Sequence, residues 1–201
     1  MSVSIDAADE ADNDRSRAIL DAGLRVFVRF GYRKTAMDEV ARAAGISRQG
    51  LYLHHGSKED LFRAIVQRMF TDSLTLVTAA LADESQSIED RLVGAFDAWI
   101  GRWVDELRGA ELADLLEATQ RLVGPQVARA EEAFTRTLAR ALRRSGVASA
   151  YKAAGIGARQ LAETLHATAR GLKYATGSRS DFLARMTIAI RVMCQPLRGD
   201  R

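Results

Sequence analysis

Ser47, Arg48, Gln49 and Gly50 stand in an unbroken row, and Tyr52, His54, His55 and Lys58 follow closely. An arginine fork can bond both acceptors of a guanine edge, and a glutamine amide can bond an adenine edge in the same bidentate way. Serine is short enough to join either contact, and glycine lets a backbone approach another surface closely. Tyr52, His54 and Lys58 carry O–H and N–H donors of the kind that hold phosphate oxygens. The chemistry on offer is recognition of a polyanion with readable edges. Covalent chemistry has little to work with. There are three histidines and one cysteine. His54 and His55 are neighbours, so on a helix they point different ways and make poor joint metal ligands. No Ser-His-acid spacing, glycine-rich phosphate loop or zinc-binding histidine pair occurs, so no catalytic residue, metal ligand or cofactor is assigned.

These residues can act together only if one element presents them on one side. Met37, Val40, Ala41 and Ala44 fall on one face of a helix that "TAMD", from Thr35, opens as a capping box and Gly45 stops. Ser47 caps a short second helix ending near His54, which Ile46 and Leu51 pin to the first. Helix, glycine turn and helix form a helix-turn-helix pattern over about residues 36–55. The second helix of such a pair can enter the major groove with its N-terminal residues against base edges.

The same 3.6-residue periodicity runs through most of the chain. Ile19, Gly23, Val26, Phe27 and Phe30 make a stripe that Gly31 ends. "SKED" at Ser57 opens a long helix to about Leu81, and "SIED" at Ser87 opens another that carries Phe96, Trp99 and Trp103. Leu112, Leu115, Leu116 and Leu122 mark a helix that Gly124-Pro125 breaks, and Pro125 starts the next. Two more follow, around Leu161–Leu172 and from Asp181 to Gln195. The reading is all-α, with about nine helices and no strand.

Composition agrees. The chain has 201 residues, 47% hydrophobic and 27% charged, with only 2 prolines. Cys194 stands alone, so no intrachain disulfide forms, which suits a reducing cytoplasm. No apolar run approaches the roughly 20 residues of a membrane span, and the opening residues lack the apolar segment of a signal peptide. Residues 1–14 read as a disordered acidic tail, with Asp6, Asp9, Glu10, Asp12 and Asp14. Arg15 to Arg63 holds ten bases against five acids, a basic region suited to a polyanionic partner.

"FVRFGYRKTAMDEVARAAGISRQGLYLHHGSKEDLF", Phe27 to Phe62, resembles the DNA-binding domain of TetR-family transcriptional regulators. It departs from the family pattern at His55, where phenylalanine is usual. The resemblance covers about the first third of the chain. It implies a three-helix helix-turn-helix domain over 15–75, joined by a long helix to a ligand-binding and dimerisation domain over 76–201. It also implies base contacts from Ser47, Arg48, Gln49 and Gly50, and phosphate contacts from Thr35, Tyr52, His54 and Lys58. Such proteins commonly repress as dimers on a near-palindromic double-stranded operator and leave it when a small effector binds. Activation, or a fold that has kept only protein contacts, are the alternatives.

For the larger domain the residues suggest two surfaces. Phe96, Trp99, Trp103 and Phe134, with His166 and Tyr174 as polar contacts, suit an apolar or aromatic effector. Leu161, Leu165 and Leu172, with Phe182, Met186, Ile190 and Met193, form stripes suited to a four-helix homodimer interface.

Overall fold

Apolar residues spaced three and four apart dictate helices, and all regular structure among the described residues is helical. The computed structural model describes residues 3–107 and 111–197, with only the backbone of residues 3–12 and 197. The helices are α1 (Val3–Lys34), α2 (Met37–Ala43), α3 (Arg48–His54), α4 (Lys58–Ala82), α5 (Ile88–Phe96), α6 (Arg102–Val104), α7 (Leu112–Arg144), α8 (Val147–Ala150), α9 (Ala158–Ala175) and α10 (Arg179–Cys194). A π-helical turn, Asp97–Gly101, joins α5 to α6.

Three elements correct the sequence reading. First, α1 begins at Val3, so residues 3–14 are helical where a disordered tail is expected. Alanines favour the helix, acidic charge favours a helix N-terminus, and extending an existing helix needs no new nucleus. Second, Pro125 lies inside α7 and does not start a new helix. One missing N–H removes one hydrogen bond, while good helix formers on both sides hold the rest. Third, α8 and the 3₁₀ turn Lys152–Ala154 fill a stretch to which the periodicity assigns nothing.

The chain divides into two compact units. The first takes the described residues up to Met69 and from Glu111 to Pro125; the second takes Phe70–Leu107 and the described residues from Gln126 on. The expected boundary at residue 75 misses the contribution of Glu111–Pro125 to the first unit. Charge explains it. Asp114 accepts from the Arg33 backbone N–H at 2.8 Å and pairs with its Nε at 3.2 Å. Glu117 takes the same guanidinium at 2.5 Å, and Glu111 takes Lys34 Nζ at 3.1 Å. Partners about eighty residues apart in sequence cannot be matched by periodicity.

In the first unit Ile19, Ala22 and Phe27 of α1 are buried with Leu61 and Ile65 of α4. A Cβ at Gly23 would come within 2.7 Å of Ile65 Cδ1, so the glycine permits this close approach. Phe27, Tyr32 and Phe62 form an aromatic triangle with centroids 5.1–5.9 Å apart. In the second unit Phe96, Phe134, Leu138, Leu165, Phe182 and Met186 centre one hydrophobic cluster.

The face that α9 and α10 turn to that cluster is the stripe expected at a dimer interface. Leu161, Leu165, Phe182, Met186, Ile190 and Met193 are buried in their own core, and Leu172 packs against it. Periodicity identifies an apolar stripe without saying what covers it. The apolar groups left outside are Tyr174 at 66% exposure and Ile188 and Val192 at 63% each.

Candidate nucleic-acid interface

The turn between α2 and α3 is fixed by backbone bonds. Ile46 N–H donates to Ala41 C=O at 3.0 Å and Gly45 N–H to Arg42 C=O at 3.2 Å, closing the end of α2 in the double pattern of a Schellman motif. Gly45 sits at φ 67°, a conformation other residues resist. Ser47 then caps α3: its hydroxyl oxygen accepts from Gly50 N–H at 3.0 Å. Leu51 is wholly buried and Ile46 half-buried, so α3 is held from behind.

The opposite side of α3 faces outward. Ser47, Arg48, Gln49, Tyr52 and His54 are exposed and Gly50 is half-buried. Arg48 Nη1 meets Asp38 Oδ2 at 3.0 Å, with both side chains at least half exposed. Its guanidinium also lies 5.6 Å from the Tyr52 ring centre. An exposed pair of this kind contributes well under about 1 kcal/mol, so it orients Arg48 without locking it. Two residues join this face that periodicity misses. Asp38 is the acid of the pair. Leu53, 83% exposed, stands one turn beyond Gln49. Its signal was a leucine falling outside the stripe of Ile46 and Leu51. Such a side chain can pack on a thymine methyl.

Two residues expected at phosphate are engaged within the chain. The Thr35 hydroxyl donates to Gly31 C=O at 2.6 Å and the residue is buried. It does not cap α2 either: Glu39 accepts from the Ala36 N–H at 3.1 Å, one residue later. Lys58 Nζ donates to the carbonyls of Tyr32, Arg33 and Thr35 at 3.0, 3.3 and 3.1 Å. The ammonium serves the negative C-terminal end of α1, a strong attraction for a cation. Beside it, the Tyr32 hydroxyl donates to Glu59 at 2.8 Å. Burial first, and then this bond, push the Tyr32 phenol up to about 12.

His55 ends α3 with its Nε2 buried and without a partner. Burial, and secondly His54, hold this imidazole below the ordinary 6.5. The fold therefore favours the neutral ring, and as the pH falls the unfolded chain takes up the proton first. Stability is full above about 6.5 and declines below it. His55→Phe should raise the unfolding free energy by about 1–2 kcal/mol, since the unmade hydrogen bond goes with the ring nitrogen. It should also flatten the loss of stability between about pH 7 and 5. Urea unfolding across that range checks both, and a fall in stability at neutral pH would show that His55 has an essential polar role.

The residues expected to contact an effector do not all converge. Tyr174 is exposed, with the Lys173 ammonium 5.6 Å from its ring, and lines no interior. Trp103 is half-buried. Phe96, Trp99, Phe134 and His166 do meet, but they pack into one another. Trp99 stacks on Phe134 at 4.5 Å, and Phe96 and His166 stand edge-on to Phe134 at 5.4 and 5.1 Å. Trp99 Nε1–H donates to His166 Nε2 at 3.4 Å, and Thr135 Oγ1 lies 3.4 Å from His166 Nδ1. His166 Nε2 is the acceptor in this arrangement, and burial lowers the proton affinity of the ring. A surface cleft of about 380 Å³ lies elsewhere in the second unit, lined by residues such as Arg143, Ser149, Lys152 and Ile156.

The family model for bacterial regulatory proteins of the tetR family matches residues 19–65. Over 124 residues the chain is 33% identical to the HTH-type transcriptional activator FasR of Mycolicibacterium smegmatis, covering 61% of this chain and 56% of that protein. It is 32% identical over 81 residues to the HTH-type transcriptional repressor ComR of Escherichia coli, covering 40% of this chain and 39% of ComR. The chain thus matches about half the length, or less, of these curated relatives. The TetR-family regulator PfmR of Thermus thermophilus shares the fold, with a TM-score of 0.63 at 18% identity over 91% of this chain and 98% of that one. Among the described residues no helix is long and apolar enough to cross a membrane.

Proposed function

We propose that the chain, whose residues 19–65 match the model of the tetR family of bacterial regulatory proteins, is a sequence-specific transcription regulator of the cytoplasm and not an enzyme. It binds a near-palindromic operator as a homodimer and represses until a small effector, apolar or aromatic in its main part, releases it. The observation that carries this reading is α3: Leu51 is wholly buried while Arg48, Gln49 and Tyr52 face outward. Ser47, Arg48, Gln49 and Gly50 meet base edges, Leu53 adds an apolar contact, and Tyr52 and His54 hold phosphate. Lys58 and Thr35 act one step behind, by fixing the end of α1.

The second copy docks on the apolar groups that α9 and α10 leave outside, Tyr174, Ile188 and Val192. Ala167 and Gly171 on the exposed side of α9 let helices approach closely. Activation is the second reading, because FasR, a relative over much of this chain, is named an activator.

Selection of bound duplexes from a random pool at near-physiological salt tests the proposal. Enrichment of a two-fold symmetric sequence is expected. Arg48→Ala should relax one position in each half-site, at a cost of about 1–3 kcal/mol. Weak, salt-sensitive binding with no enriched sequence would overturn the proposal and bring the protein-contact alternative forward.

A further inference from the structure

Two polar atoms inside the second unit are buried without partners: Arg102 Nη1 and Gln126 Oε1. A buried donor that carries charge is costly to leave unpaired, and native folds rarely do so without a reason. The local backbone is unusual at the same place. The π turn Asp97–Gly101 immediately precedes Arg102, and single π turns inside α-helices recur at functional sites. A π turn adds a residue to one helical turn and so re-aims whatever follows.

Among the described residues no carboxylate pairs with Arg102, and Glu106, four residues on, is exposed. The two other acids close in sequence are already engaged. Asp97 takes both arms of the Arg179 guanidinium, at 2.7 and 2.5 Å, and Asp105 accepts from the Arg179 backbone N–H at 3.1 Å. Arg102 instead lies over the Trp103 ring, 4.8 Å from its centre, which steadies the cation but satisfies none of its N–H groups. Gln126 belongs to α7, the helix whose Phe134 stacks on Trp99 of the π turn. One unmet donor and one unmet acceptor thus stand on the two helical segments that this aromatic stack joins.

We propose that Arg102 is the anchor for an anionic head group of the effector, a carboxylate in the first instance, and that Gln126 Oε1 receives a hydrogen bond from a donor on the same molecule. Trp103 and the Trp99–Phe134 stack face its apolar body. The effector is then an amphiphilic organic acid, not a neutral hydrocarbon. This rests on the reading of the second unit as the effector domain, and it gives that reading a charge and a residue.

Two measurements on the full chain test the inference. Arg102→Met keeps an unbranched apolar stem and removes the charge with its buried Nη1. If Arg102 is an anchor left unpaired for a ligand, the ligand-free Met variant melts a few degrees higher than the parent. If Arg102 is a structural group, the variant melts lower, and the inference falls. The second measurement is the melting temperature with octanoate or benzoate, each against its methyl ester. The parent should gain stability from at least one acid and not from its ester, and Arg102→Met should lose that gain. Gln126→Leu should reduce it less. Equal effects of acid and ester, or the same gain in Arg102→Met, would overturn the anionic anchor. Duplex selection with the parent chain separates the two claims: an operator enriched by a parent that no acid stabilises leaves DNA recognition standing while the anchor fails.

Discussion

Phe134→Ala is expected to lower the unfolding free energy by about 3–5 kcal/mol, the range for truncating a fully buried phenylalanine in a packed core. The residue has no exposed surface and touches three other rings, Phe96, Trp99 and His166. Its loss would remove the stack that holds Trp99 and leave a hole that α5 and α7 cannot easily close. Both tryptophans of the chain, Trp99 and Trp103, belong to the second unit, so their fluorescence during urea unfolding reports on that unit. A fall in the midpoint with an unchanged slope is expected. A loss below about 1 kcal/mol would mean that the ring borders hollow space. The outcome therefore also decides whether this aromatic group is core, as its centroid distances indicate, or the wall of a ligand chamber.

Gly31→Ala is the second large effect, in the other unit. Gly31 has φ 77° and ψ 173°, a region open in practice to glycine alone. A Cβ there would stand 2.6 Å from Asp114 Oδ2 and 3.1 Å from Glu111 Oε2. The backbone cost alone is about 1–3 kcal/mol, and displacement of the two carboxylates would loosen their hold on Arg33 and Lys34. The same glycine carbonyl accepts the Thr35 hydroxyl, so the entry to α2 would shift as well. A lower first transition in far-ultraviolet circular dichroism is expected, with tryptophan fluorescence changed less. Operator affinity should fall with it. Unchanged dichroism would show that the break in α1 tolerates a side chain and that the carboxylates can yield.

Some of this was legible in the residues alone. Gly45, Ser47 and Leu51 specify a turn, a cap and a pin by local chemistry, and each does its expected work. The outward row of Arg48, Gln49 and Tyr52 followed from that frame. What was not legible depended on partners distant in the chain. Lys58 and Thr35 carry donors that suit phosphate, and only the fold reveals carbonyls at the end of α1 already within reach. The apolar stripes of α9 and α10 were visible, but a stripe that meets its own core and one that meets another chain have the same period. Ile188 and Val192, off the centre of the α10 stripe, are the ones left uncovered. Pro125 shows the limit of local rules in the other direction, because a residue that usually breaks helices sits inside one of 33 residues.

The pair of Arg48 and Asp38 has a thermodynamic consequence for the proposed DNA contact. A guanidinium that leaves a carboxylate to meet a base exchanges one partner for another, and Asp38 must then collect a counterion from solution near a polyanion. Uptake of that cation partly cancels the cations that the duplex sheds on binding. The dependence of affinity on salt will therefore be shallower than the number of contacting bases implies, and Asp38→Asn should steepen it while tightening the complex.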